Sequence, residues 1–410
     1  MGAALASLLR PWLEPLKSLA SFPFSIIDSA RQTLYSFFFG TPKGRYDDSQ
    51  GDMTDTSNSP YYKSYTINQV REYTEAFHRD GFVVVDGVLS ADEIALSKEE
   101  VWQYLQAKGD GILRDRPETW DEKNWPKEIC RNGGFMGRFP YIRRLYSIDK
   151  TMINKQPQAW RNRQNPKVYN VFRNLLDSKK LWVSLDRYGI MRPTKVRVTG
   201  DERKCPPSSS PEVKLVDKSS EWATKKEWLH WDLNPFHFAT SAAGFGFNAE
   251  VSRDAIAKKY GWTRVQGLVT ITDCPEPVGG FHCVKGFQGK RFEAWRREHM
   301  ETYGKEKGVA TRNFVEIPSE DPMRREITKV PIRAGSLLVW NSQLPHGNFP
   351  NSSERFRMVQ YIKMIPVEDP REFQPILGLD DRRLKKNSFF PNGFTPSDLG
   401  ARLFGIKPWE

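Results

Sequence analysis

Cysteine is scarce in this 410-residue chain, with four residues, Cys130, Cys205, Cys274 and Cys283, and no paired metal-site spacing among them. That excludes a disulfide scaffold and favours a reducing compartment. Cys274 and Cys283 are expected as buried thiols on neighbouring strands. Histidine is nearly as scarce, six in all, so a motif that contains one is informative. Acidic residues fall short of basic ones, 50 against 62, leaving a net charge of +12. The basic clusters at Arg291, Arg296 and Arg297 and at Arg382, Arg383, Lys385 and Lys386 are interleaved with Glu293, Asp380 and Asp381. No nucleic-acid motif accompanies them, so nucleic acid is not an expected partner. A solvated basic surface is the simplest reading, with an anionic substrate or an acidic membrane surface as the alternatives.

Long apolar runs are also missing. In residues 1–40, Leu5, Leu8, Leu9, Trp12, Leu13 and Leu16 fall at helical spacing, interrupted by Pro11 and Pro15. Ile26, Ile27, Ala30, Leu34, Phe37 and Phe38 repeat the spacing, and Arg10, Glu14, Lys17, Asp28 and Arg31 break every run that might span a bilayer. A signal-peptide n-region is lacking, and alanine at position 6 spoils a myristoylation pattern after Gly2. The segment is expected either to lie on a membrane surface as a peripheral contact or to pack on the rest of the chain. The expected location is intracellular, in the cytoplasm, with membrane association through these residues.

Residues 41–64 are polar and read as a linker. Residues 65–366 read as one catalytic domain and 367–410 as a C-terminal extension. Within the domain a helix is expected over Ala91–Leu105, opened by Ser90 as N-cap with Glu93 three residues on. A strand is expected over Trp182–Ile190. The stretch Thr199–Lys226, with Pro206-Pro207-Ser208-Ser209-Ser210-Pro211, reads as a disordered insert or a lid.

What the chain does have is Leu229-His230-Trp231-Asp232-Leu233 and, far downstream, Leu344-Pro345-His346-Gly347-Asn348. In an extended chain alternate side chains share a face. His230 and Asp232 then point together and Trp231 points away into packing; on a helix the pair would diverge by about 200°. Two histidines and one carboxylate can hold one face of an Fe(II) ion and leave the other open. The alternative for an isolated His-x-Asp is a strand histidine hydrogen-bonded to its neighbour. The downstream context adds weight: Gly335–Trp340 reads as a strand leading to His346, and a second strand from Arg355 to Ile362 completes a hairpin with His346 at the end of its first strand. On that second strand Arg357, Val359 and Tyr361 share a face, and an inward arginine needs an anion beside it. A dicarboxylate would supply one through a two-pronged contact.

These residues resemble the phytanoyl-CoA dioxygenase family. The proximal motif with Phe236 and Phe238, the interval from His346 to Arg357, the opening segment Phe77–Ser90 and the segment Gly279–Phe287 carry the likeness. Lys285 and Gln288 depart from it where proline and histidine are usual. The resemblance implies a mainly β fold with flanking helices around a double-stranded β-helix core of jelly-roll or cupin-like type. It implies His230, Asp232 and His346 as metal ligands, and Arg357 and more weakly Asn348 as contacts of the cosubstrate's far carboxylate. The cofactors implied are Fe(2+) and 2-oxoglutarate, with ascorbate as a supporting reductant; the partners are O2 and a small-molecule substrate. The expected activity is a 2-oxoglutarate-dependent dioxygenase hydroxylating an aliphatic C–H bond of a small molecule or acyl substrate, releasing succinate and CO2. A non-catalytic binding protein or membrane-associated adaptor that keeps the fold is the alternative. Asp232 argues against halogenation, Lys363 against the second arginine of nucleic-acid repair oxygenases, and Arg357 against a plain zinc hydrolase.

Several residues remain open on sequence alone. Residues 242–262 look like an insertion that could cover the pocket. His237 reads as a packed histidine in an aromatic setting, His282 could face pocket or solvent, and Tyr188 reads as a core aromatic.

Overall fold

The computed structural model describes residues 59–126, 130–131, 134–137, 158–184, 186, 188–199, 213–224, 228–232, 234–237, 265–310, 315–367 and 394–410. All lie in the compact unit Asp55–Glu410. The expectations for residues 1–40, for most of the 41–64 linker and for the 242–262 insertion lie outside the described residues.

In chain order, β1 (Tyr65–Thr66), α1 (Val70–Asp80), β2 (Phe82–Asp86) and α2 (Ala91–Lys108) come first, then β3 (Cys130–Arg131) and β4 (Gly134–Gly137). Next are α3 (Gln158–Arg163), α4 (Pro166–Leu175), β5 (Leu181–Val183), β6 (Tyr188–Met191), β7 (Lys195–Thr199), β8 (Val213–Asp217), α5 (Ser219–Trp222) and β9 (His230–Trp231). The remainder runs β10 (Val265–Thr270), β11 (Gly280–Val284), α6 (Lys290–His299), α7 (Lys307–Ala310), β12 (Val315–Glu316), β13 (Ile327–Lys329), β14 (Leu337–Asn341), β15 (His346–Phe349), β16 (Arg357–Tyr361), β17 (Met364–Pro366) and α8 (Asp398–Leu403).

Two sheets dominate, so the fold is mainly β with flanking helices. One has eight strands in the order β1-β2-β14-β10-β16-β6-β4-β3, the other five in the order β12-β9-β15-β11-β13. From β9 onward the chain crosses repeatedly between them: β9, β11, β12, β13 and β15 lie in the smaller sheet and β10, β14 and β16 in the larger. Among the described residues the two hydrogen-bond ladders stay separate and share no strand.

The larger sheet is apolar on both faces because each face has a different cover. Val83, Val85, Val265, Val269, Leu337 and Val339 turn outward onto Phe77 of α1 and Val168, Val171, Phe172 and Leu175 of α4. Phe82, Val84, Leu268, Leu338, Trp340 and Val359 turn inward and share a core with Phe281 and Cys283 of the smaller sheet. The strand period of two thus sorts one run, Phe82–Asp86, into two cores.

Local chemistry fixes the junctions. Gly81 ends α1 at φ 80, a left-handed conformation that glycine adopts without strain, and its N–H reaches Phe77 O. α2 opens with the expected capping box: Ser90 Oγ accepts from Glu93 N and Glu93 accepts from Ser90 N.

Four expectations are corrected. The single strand over Trp182–Ile190 is two strands, β5 paired with β17 and β6 within the larger sheet. Between them the carbonyl of Ser184 accepts from the buried Arg163 guanidinium and its N–H bonds Lys363 O, which takes the chain out of the ladder. Gly335–Trp340 and Arg355–Ile362 do not form a hairpin, since β14 and β16 both pair with β10. An Asx turn at Asn341, whose Oδ1 accepts from Gln343 N at 2.9 Å, releases the chain so that β15 joins the other sheet. The loop expected over 199–226 includes strand β8, which pairs residue for residue with β7. Cys274 and Cys283 are buried and free as expected, but they are not strand neighbours: Cys274 bridges to Ile332, while Cys283 pairs with Thr328 and His346.

The expected terminal segments also pack on the domain where they are described. Tyr62 N bonds Pro331 O at 2.9 Å and the Tyr62 ring meets Phe82 at 5.2 Å. Phe394 and Phe404 flank Trp160, and Trp409 Nε1 donates to Leu181 O at 2.9 Å. Among the described residues no helix is long and apolar enough to cross a membrane.

The capping box carries the start of α2. Ser90→Ala should lower stability by about 0.5–2 kcal/mol, read from the midpoint of chemical denaturation with unchanged cooperativity.

Candidate metal centre

His230 and His346 are direct cross-strand partners on β9 and β15. Partners across an antiparallel pair stand on the same face, and the rings meet at 4.8 Å between centroids. Asp232, two residues past His230, projects to that face. Its Oδ1 lies 3.3 Å from His230 Nε2 and its Oδ2 lies 3.5 Å from His346 Nε2. One ligand atom from each of the three residues falls within 4.8 Å of the others. The structure therefore brings together the three residues singled out from sequence, drawn from two remote stretches of chain.

The protonation state of this group follows from its outer contacts. His230 Nδ1 lies 3.1 Å from Trp228 O, and His346 Nδ1 lies 3.0 Å from Leu344 O. A carbonyl oxygen only accepts, so both Nδ1 atoms carry a hydrogen, and in the neutral ring Nε2 is left with its lone pair. Those lone pairs face carboxylate oxygens, which also only accept. When both rings are neutral, four electron-rich atoms converge with no hydrogen between them, an arrangement that a cation would satisfy. Burial pushes the Asp232 carboxyl up, but a hydrogen bond and charge from either imidazole, when its Nε2 carries a proton, outweigh it and hold the group well below its ordinary value. Burial also lowers the His346 imidazole, which keeps it neutral, the form that ligates a metal. The two histidines are 4 % exposed, whereas the Asp232 side chain is 33 % exposed, so the carboxylate marks the open side.

Rings brace both histidines. Trp228 stacks on His230 at 3.8 Å with planes 15° apart. Phe281 stacks on His346 at 5.9 Å, and Trp340 reaches it from the larger sheet at 5.2 Å. Trp231 points away as expected, into Phe292 and Trp295 of α6, with Nε1 donating to Gln343 O. Behind His346, Gly347 permits a close crossing: a Cβ there would fall inside contact distance of the Trp228 carbonyl oxygen and of His282 Nε2.

Arg357 is 2 % exposed on the inward face of β16. Its guanidinium meets Met191 Sδ at 4.0 Å and the Cys274 thiol, both neutral, and its Nε has no hydrogen-bond partner among the described residues. Asn348 shares the face of His346, and its Oδ1 is likewise buried without a partner there. The other residues weighed from sequence fall elsewhere. Tyr188 is a core aromatic in a cluster with Val101 and Trp102. His282 pairs with Gly347, so it stands on the face opposite His346, and it is buried. His237 closes the short turn Pro235–His237, and its side chain lies outside the described residues.

Residues 215–359 match the family described as phytanoyl-CoA dioxygenase (PhyH), an interval that holds the triad, Asn348 and Arg357. That interval is similar to a PhyH domain. A putative phytanoyl-CoA dioxygenase from Dictyostelium discoideum is 25% identical over 310 residues, covering 72% of this chain and 74% of that protein. Solved structures similar to this chain include GlcNAc-inducible gene 2 protein from Candida albicans, 12% identical over 85% of this chain and 80% of the other, with a TM-score of 0.48. HygX from Streptomyces hygroscopicus, solved with nickel and 2-oxoglutarate, is 16% identical over 73% and 87%, with a TM-score of 0.39.

Sequence reading missed Trp228, Gln266 and Trp340. A usable signal existed for Gln266, a polar residue inside the apolar run Val265–Thr270. Trp228 is identified by its carbonyl and its stacking, which no motif encodes.

Gly347→Ala should push Trp228 and His282 apart and disturb the carbonyl that orients His230. Metal affinity should fall by roughly 10–100-fold, the usual effect of losing an outer contact, as read by equilibrium dialysis. A pH dependence follows from His282, whose imidazole is pushed down to about 3 by burial first and then by the charges of His346 and His230. In the unfolded chain it would titrate near 6.5. Protons then bind the unfolded state first, so metal-free stability is full above about pH 6.5 and drops as pH falls, by up to about 1.4 kcal/mol per unit. Urea midpoints between pH 7 and 5 should fall less steeply in His282→Asn than in the natural protein.

Proposed function

We propose that this protein is an Fe(II)- and 2-oxoglutarate-dependent dioxygenase on a double-stranded β-helix core. In this reading it hydroxylates an aliphatic C–H bond of a small-molecule or acyl substrate. Carbon dioxide and succinate leave as 2-oxoglutarate and O2 are consumed. The observation that carries the reading is the convergence of His230 Nε2, His346 Nε2 and both Asp232 oxygens on one point. The alternation of the chain between two sheets and the match over 215–359 support the fold and the family chemistry.

Two neutral imidazoles and one carboxylate suit Fe(II) and leave the remaining coordination positions open. His230, Asp232 and His346 would hold that ion. Bound there, iron supplies the oxygen activation and oxidising power that amino-acid side chains lack. Arg357 would fix the far carboxylate of 2-oxoglutarate, since a buried guanidinium among neutral neighbours calls for an anion. Asn348, after turning its amide to present N–H2, would add a donor to the same carboxylate. Trp228, Phe281 and Trp340 keep water away from the histidines and hold the rings in place.

The test is iron binding and succinate formation by purified protein under air. Asp232→Ala should lose iron and turnover together. Arg357→Ala should keep the iron and raise the 2-oxoglutarate requirement at least roughly 30-fold, because truncating one partner of a buried charged contact costs roughly 2–5 kcal/mol. An unchanged requirement would move the cosubstrate site elsewhere.

A further inference from the structure

Two central strands of the larger sheet carry polar atoms that bond to nothing described. Gln266 on β10 and Trp340 on β14 are cross-strand partners, each 2 % exposed. Gln266 Oε1 and Trp340 Nε1 are both buried without a hydrogen-bond partner among the described residues. Around them the inward face is apolar: Phe82 lies across from Trp340, and Leu268 and Leu338 form the next rung. Trp340 also crosses the interior, its ring 4.8 Å from Phe281 and 5.2 Å from His346. An acceptor and a donor thus stand side by side on the wall facing the distal histidine. Leaving either unsatisfied costs more than a made hydrogen bond returns, so a bound group that satisfies both is strongly favoured.

We propose that Gln266 and Trp340 receive a hydroxyl or secondary amide of the primary substrate, which makes that substrate a hydroxyl- or amide-bearing molecule and not a plain acyl chain. The inference rests on the oxygenase reading only in calling the bound molecule a substrate. A hydroxyl donates to the amide oxygen and accepts from the indole N–H, satisfying both at once. A hydrocarbon chain satisfies neither. At neutral pH 2-oxoglutarate carries only acceptors, so it could engage the indole but would meet the Gln266 amide only after that amide turned to present N–H2, whereas a hydroxyl fits the pair as it stands. The pair is therefore a specificity device distinct from Arg357.

The experiment follows the Trp340 indole signal by NMR in full-length protein labelled with nitrogen-15 at tryptophan. Its cross-peak is identified by loss in Trp340→Phe and, independently, by its displacement in Gln266→Leu. Cyclohexanol should move the peak saturably, cyclohexanone more weakly and cyclohexane not at all. Gln266→Leu should weaken cyclohexanol by roughly three- to tenfold, the weight of one net hydrogen bond, and leave cyclohexanone unchanged. Equal response to cyclohexane, or no cyclohexanol penalty in Gln266→Leu, overturns the proposal. No response to any probe also overturns it and leaves the pair to ordered water. Movement by 2-oxoglutarate alone, with a raised 2-oxoglutarate KM in Trp340→Phe, reassigns the pair to the cosubstrate. Failure of the protein to make succinate would sink the oxygenase reading separately, because the indole signal needs no turnover.

Discussion

Two main-chain carbonyls decide what this interior can do. Trp228 O and Leu344 O each lie two residues before a histidine and each bonds its Nδ1. The same local device recurs in both segments, so each imidazole is oriented by its own stretch of chain. Strand pairing then sets the two rings opposite one another. Neither step involves Asp232, yet together they aim two lone pairs at its oxygens. A cation among them would satisfy both lone pairs and the carboxylate, and the missing side chain at Gly347 lets the Trp228 carbonyl pass close to β15.

The sheets divide polar groups by face. On β16, Gln360 points outward and is fully engaged, accepting from Asn162 Nδ2 and donating to Ala159 O. Arg357, three residues earlier and on the other face, has a bare Nε among the described residues. The outward network also includes Ser97 and Arg163 and ties helices α2 and α3 to the sheet. Inward lie the unsatisfied atoms of Gln266, Trp340, Asn348 and Arg357. Polar residues on the outward face thus tie helices to the sheet, while four inward side chains keep an atom that a bound group could satisfy.

The triad was legible because its signal is local and chemical: a period of two puts His230 and Asp232 on one face, and a second histidine with a following arginine is rare in a chain with six histidines. The α2 capping box and the burial of Tyr188 and Trp231 were legible for similar reasons, since each follows from neighbours in sequence. Strand pairing was not. Val-, Leu- and Trp-rich runs such as Leu337–Asn341 read as strands, but nothing in them says that β10, and not β16, is the partner. The Asx turn at Asn341 that sends His346 to the other sheet depends on one side-chain oxygen. Likewise Gln266 and Trp340 become informative only once register places them opposite each other, because an isolated glutamine in an apolar run has no stated direction.

Charge balance gives the interior one further constraint. Asp232 is the carboxylate of the triad, and burial keeps His346 neutral. A divalent ion held by two neutral imidazoles and one carboxylate leaves one positive charge. Arg357, among the neutral Met191 and Cys274, adds a second. Two uncompensated positive charges in a buried interior are costly unless an anion joins them. A dicarboxylate carries two negative charges at neutral pH, so the metal end and the guanidinium end each meet one. In the proposed reading, cosubstrate binding neutralises the interior instead of adding charge to it. The substrate's partners can then be neutral, a description that fits the amide of Gln266 and the indole of Trp340.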